Sequence, residues 1–189
     1  IFDMKEKQQK IFDAAQKDFQ ESGFKGTNIA EITQHAGVAV GTFYRFYESK
    51  EEVFFQVYAA ENERVKQEIV TTNDLTEDPR TLFPKIMTQL LADVKNSLIL
   101  QDWYTNPKLK RLIKNNPNLQ DDFMCHTVSQ LVKQWQKDDR LKSGLSESRV
   151  HQLFEALVVV DNHQDELPDG NYEQLREDLV QGILDRILK

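Results

Sequence analysis

The 189-residue chain has one cysteine, Cys125. No disulfide can form within it, and that usage suits a reducing cytoplasm. It has only seven glycines and five prolines, which leaves room for long helices. Alternation of β-branched and polar residues is nearly absent, which argues against strands. No apolar run is long enough to cross a bilayer, and the first residues lack the apolar centre of a signal peptide. These absences predict an all-α protein of the cytoplasm with no membrane partner.

The patterns of catalysis and metal binding are missing too. The four histidines, His35, His126, His151 and His163, are scattered and show no metal spacing. Cys125 and His126 are adjacent, so on a helix they diverge by about 100° and do not readily share an ion. There is no Gly-rich phosphate loop. The expectation is a protein that is not an enzyme, with no cofactor and no metal.

Charge of one sign is also absent where it matters. The net charge is −7, yet residues 1–50 hold seven Lys/Arg and seven Asp/Glu. The acidity therefore lies in the remainder. An anionic partner of the N-terminal part would have to be bound by local placement of Lys25, Arg45 and Lys50 with helix-end amides, in a salt-sensitive way.

What is present is a dense pattern from Thr27 to Lys50, TNIAEITQHAGVAVGTFYRFYESK. Ile29, Ile32 and Ala36 share a helical face. Asn28 is placed to cap that helix with Glu31 three residues on, and Gly37 to end it. A second short helix is predicted at 40–46, with Phe43 and Tyr47 facing inward beside Ile32. This leaves Val40, Gly41, Thr42, Tyr44, Arg45 and Phe46 on its other faces. Small residues allow close approach, and Thr42, Tyr44 and Arg45 can donate to phosphate or base edges. Ser49 with Glu52 forms another capping box, with Lys50 in the first turn of a third helix. The arrangement predicts a helix-turn-helix whose second helix enters the DNA major groove.

The stretch resembles the DNA-binding region of TetR-family transcriptional regulators. Thr27, Ile32, Ala36, Gly37, Val38, Gly41, Thr42, Tyr44, Ser49, Lys50 and Glu51 stand where that family's motif has the same residues. Asn28, Thr33 and Ala39 replace its usual threonine, alanine and serine, and Phe46-Tyr47 reverses its aromatic order. Ala39 forgoes a side-chain cap, typically about 1 kcal/mol of local stability. The resemblance covers about residues 7–66. It implies DNA contacts from Lys25, Thr27, Asn28, Val40, Gly41, Thr42, Tyr44, Arg45, Phe46 and Lys50.

In chain order, a helix is predicted at 5–22, built on Ile11, Ala15 and Phe19, and one at 49–70 with Val53, Val57, Val65 and Ile69. Further helices are predicted at 80–102, 107–115, 118–140, 146–163 and 172–188. This gives a helix-turn-helix domain at 1–50, a linking helix at 49–70, and a ligand-binding and dimerisation domain at 71–189. The last two helices have more apolar positions than one core stripe requires, which favours a homodimer through Leu153, Leu157, Leu179 and Ile183. Aromatic and soft side chains between 83 and 135 mark candidate pocket residues: Phe83, Met87, Trp103, Tyr104, Phe123, His126 and Trp135. The resemblance implies a repressor released from a palindromic double-stranded DNA operator by a small, hydrophobic effector. The linking helix would carry the signal. The alternatives are a dimeric helical protein of the same fold that binds no DNA, and a helical enzyme.

Overall fold

A computed structural model describes residues 2–115, 123–168 and 170–189, without the side chains of Phe2, Lys114, residues 123–128, Val158, Asn162 and Asp165. The pocket candidates Phe123 and His126 therefore lie outside the described side chains. The helices are α1 (Phe2–Gly26), α2 (Ile29–Ala36), α3 (Val40–Phe43), α4 (Lys50–Thr72), α5 (Pro79–Asn96), α6 (Leu98–Thr105), α7 (Pro107–Lys114), α8 (Phe123–Lys137), α9 (Glu147–Asn162) and α10 (Tyr172–Ile187). Among the described residues the sole β pairing is an isolated antiparallel bridge, Leu141 to Leu188. The all-α expectation holds.

The chain packs as two compact units, each discontinuous in sequence. The first comprises residues 1–65 and 91–120, the second 66–90 and 121–189. The boundaries at 65/66 and 90/91 fall inside α4 and α5.

The first unit closes over an aromatic cluster. Phe54 meets the rings of Phe19 and Phe24 edge to face, each with centroids 5.1 Å apart, a geometry that adds to plain area burial. Ile11, Ala15, Ile32, Phe43, Val53 and Val57 are wholly buried around it. Helix α6 belongs to this unit. Trp103 stacks on Tyr58 with centroids 3.5 Å apart and planes 3° from parallel.

Three helices differ from the sequence reading, the first running from Phe2 to Gly26 with a non-helical Gly23 inside it. The predicted helix at 80–102 is divided at Ser97, whose backbone is extended and whose Oγ accepts from Leu100 N at 3.4 Å. That bond restarts a helix, as an N-cap does. The predicted helix at 40–46 closes after Phe43, and residues 44–46 form a turn. No side chain caps its start at Ala39.

The second unit is held by Phe83, which contacts Phe154 at 4.3 Å and Trp135 at 6.4 Å between centroids. Leu82, Val132, Val150 and Leu184 are also fully buried here. Its C-terminal end is pinned to the loop after α8. Lys142 N donates to Ile187 O at 2.8 Å, and Lys189 N to Arg140 O at 2.9 Å.

Candidate DNA-binding site

Helix α2 is built as its sequence demands. Asn28 Oδ1 accepts from Glu31 N at 3.0 Å. Gly37 takes the left-handed conformation at φ 67°, ψ 33° and donates to Gln34 O. Val38 N then donates to Thr33 O at 3.0 Å. The chain thus reverses into α3 with the last carbonyls of α2 satisfied. His35 Nδ1 lies 2.8 Å from Oδ1 of the buried Asp18, which ties the end of α2 to α1. The sequence carried no signal for that pair.

Helix α3 is anchored by one face only. Phe43 is wholly buried, and Tyr47 beyond it nearly so. Burial pushes the Tyr47 hydroxyl above its usual range. The opposite face is open: Val40 is 45% and Tyr44 57% exposed, and Gly41 and Arg45 are exposed with them. A Cβ at Gly41 would meet nothing within 4 Å. The fold of this chain therefore does not require glycine there. A surface that must admit a partner closely does.

The other expected contact residues divide into two kinds. Lys25 and Asn28 are exposed, and Thr42 and Phe46 are half-buried. Thr27 is buried and its Oγ1 donates to Gly23 O at 2.8 Å, a structural bond. Lys50 is turned inward. Its Nζ donates to Phe24 O at 2.6 Å and Thr27 O at 2.8 Å. It also sits 4.1 Å over the Phe24 ring centroid. Burial first, then the nearby Lys108, lower its pKa against the pull of Glu51 and Asp102.

One carboxylate that the sequence did not mark completes this corner. Asp102 of α6 accepts from Phe24 N at 2.6 Å. Gly23 beside it has φ 70°, ψ 175°, a region open essentially to glycine alone. A Cβ there would stand 3.0 Å from Asp102 Oδ2. Helix α6 thus fixes the turn that delivers the chain into α2.

Phe83, Met87 and Trp135 are packed in the interior of the second unit. Trp103 is buried and Tyr104 half-buried in the first. The second unit has a mainly apolar cleft of about 280 Å³, lined by Ile69, Val70, Leu75, Thr76, Gln130, Leu131 and Gln134. Of the expected interface residues, Leu157 is buried, and Leu153, Leu179 and Ile183 are half-buried. Val159 at 60% and Leu175 at 40% are the exposed large apolar side chains described on α9 and α10.

Comparison with known proteins agrees with this geometry. Residues 11–57 match the family described as bacterial regulatory proteins, tetR family. The Fatty acid metabolism regulator protein of Bacillus subtilis is 23% identical over 95% of this chain and 98% of its own. The HTH-type transcriptional regulator YuxN of the same organism is 28% identical over 48% of this chain, and the match spans only 31% of YuxN. The solved structure of FadR from Bacillus subtilis with stearoyl-CoA shares the fold, with a TM-score of 0.59 at 16% identity, covering 94% of this chain and 95% of that one. Among the described residues no helix is long and apolar enough to cross a membrane. Residues 11–57 are thus a DNA-binding region of the kind found in the tetR family of bacterial regulatory proteins, and the chain is a DNA-binding transcriptional regulator.

Proposed function

We propose that two copies of this chain bind a palindromic operator as a repressor, each laying α3 in the major groove, and that a small apolar effector releases them. The observation that carries the reading is the face of α3. A helix anchored by Phe43 leaves Val40, Gly41, Tyr44 and Arg45 open to a partner. Tyr44 and Arg45 supply donors for phosphate and base edges. We read the protein as non-catalytic and cytoplasmic.

The effector site is the apolar cleft of the second unit, where Gln130 and Gln134 stand among Ile69, Val70, Leu75 and Leu131. A cleft of this size lies near the lower end of small-molecule sites, roughly 300 Å³. The fatty-acid regulator among the relatives and the stearoyl-CoA held by FadR support an acyl group as the first class to test.

Selection of duplexes from a random pool by the purified chain tests the DNA reading. The selected sequence is expected to be a two-fold repeat with half-sites about one helical turn apart. Tyr44→Ala with Arg45→Ala should weaken it by about 5- to 150-fold, the span of one good base contact. Failure to enrich any sequence overturns the reading. A fatty acid or acyl-CoA that raises the melting temperature must also lower DNA affinity, and DNA must lower its affinity by the same factor.

A further inference from the structure

Helix α7 has four Lys/Arg and no Asp/Glu in eight residues, PKLKRLIK, in a chain of net charge −7. Surface helices usually offset such charge with carboxylates three or four residues away. Here the positions three and four from Lys108, Lys110 and Arg111 hold no acidic residue. Leu109 is wholly buried and fixes the inward face. Lys110 and Arg111 are exposed, and the Lys108 side chain is 66% exposed.

The position of α7 gives this charge a use. Lys108 pairs with Glu51 in the first turn of α4. Its Nζ lies 5.9 Å from the centroid of the Phe24 ring that Lys50 covers from 4.1 Å. Helix α7 therefore starts beside the corner that carries Lys25 and Asn28 into α2. At that corner the Lys50 ammonium is bonded to two backbone carbonyls, and residues 1–50 have no excess of positive charge. A DNA-binding unit needs cations that displace counterions from phosphates.

We propose that α7 is a second phosphate-contacting element, which grips the duplex backbone flanking the α3 site through Lys108, Lys110 and Arg111. The inference rests on the reading of α3 as the helix that enters DNA. Its contacts position the duplex without reading sequence. It adds affinity that a helix-turn-helix with balanced charge lacks.

The test uses the full chain, a selected duplex of about 30 base pairs and an unrelated duplex of equal length, titrated across a range of salt. Lys110→Gln with Arg111→Gln removes two exposed cations and should leave the melting temperature at the wild-type value. The slope of log affinity against log salt should fall in magnitude by about 3.6 for the two bound copies, or about 0.9 for each of the four lost contacts, on both duplexes. Lys110→Arg with Arg111→Lys should restore it. An unchanged slope overturns the proposal, as does weakening confined to the selected sequence. Unchanged DNA binding with lost binding to phosphatidylserine vesicles would assign the face to a membrane and equally overturn it. If α3 is misread, the wild-type protein prefers no duplex and Tyr44→Ala changes nothing. That result is distinct from a wild-type protein that selects DNA while the α7 variant keeps its slope.

Discussion

Lys50 and Phe24 hold each other twice. The ammonium of Lys50 lies over the Phe24 ring at 4.1 Å and donates to the Phe24 carbonyl at 2.6 Å. One side chain thereby joins the start of α4 to the last residues of α1. Lys50→Met keeps the stem and removes both carbonyl bonds. It should lower the free energy of unfolding by about 1–2 kcal/mol, the range of charged hydrogen bonds reduced for half-exposure. Denaturant titration measures it. Unchanged stability with a large loss of DNA affinity would return Lys50 to the phosphate role expected from the motif.

Glu51 provides a pH dependence of defined sign. Burial pushes its carboxyl up, but the Lys108 hydrogen bond and the Lys108 and Lys50 charges outweigh that and hold it below the usual 4.5. A depressed carboxylate adds stability that is fully present above the unfolded value and lost as pH falls through the folded one. The wild-type protein should therefore lose stability on acidification from about pH 5 to 3. Glu51→Gln should flatten that limb by less than about 1 kcal/mol, since Lys108 is exposed. A melting series over pH, with parallel curves for both proteins, would remove the pair from the account of acid stability.

Gly23→Ala sets two costs together. Its backbone conformation disfavours any side chain, and the added methyl would reach Asp102 Oδ2. A loss of about 1–3 kcal/mol is expected from strain alone. Asp102→Asn retains an oxygen for Phe24 N and should cost less. If Gly23→Ala melts with the wild-type protein, the corner is not built on that conformation.

The proposed homodimer gives a prediction that separates assembly from folding. Leu157 is packed in its own unit, so Leu157→Glu tests the fold as much as the interface. Val159→Glu with Leu175→Glu places charge on exposed positions and should give a folded monomer, since an unpaired charge buried at an interface is strongly unfavourable. Sedimentation equilibrium decides. A folded dimer of the double variant would move the interface off these faces.

The motif region was legible because its signals are local. Asn28, Gly37 and the Ile32–Phe43–Tyr47 set are recognised by spacing, and each acts within a turn or two of itself. The break at Ser97 was not legible, because Val94 and Leu98 carry the apolar period through it. The direction of Lys50 was hidden for a different reason. Its acceptors are carbonyls 26 and 23 residues away, and a flexible four-carbon stem can satisfy either a phosphate or its own fold. The ring contact of Trp103 was hidden in the same manner. An aromatic residue reads alike whatever ring it meets, and only the packing of α6 into the first unit sets Trp103 against Tyr58.

The residues that complete the first unit lie far down the chain, at 91–120, and this limits what can be cut from the gene. A fragment ending at Thr72 would contain the whole helix-turn-helix. It would lack Asp102, which fixes the turn at Gly23, and Trp103, which covers Tyr58. The reading head of this regulator is therefore not a transplantable cassette. A chimera that borrows its DNA specificity has to take the α6–α7 segment as well.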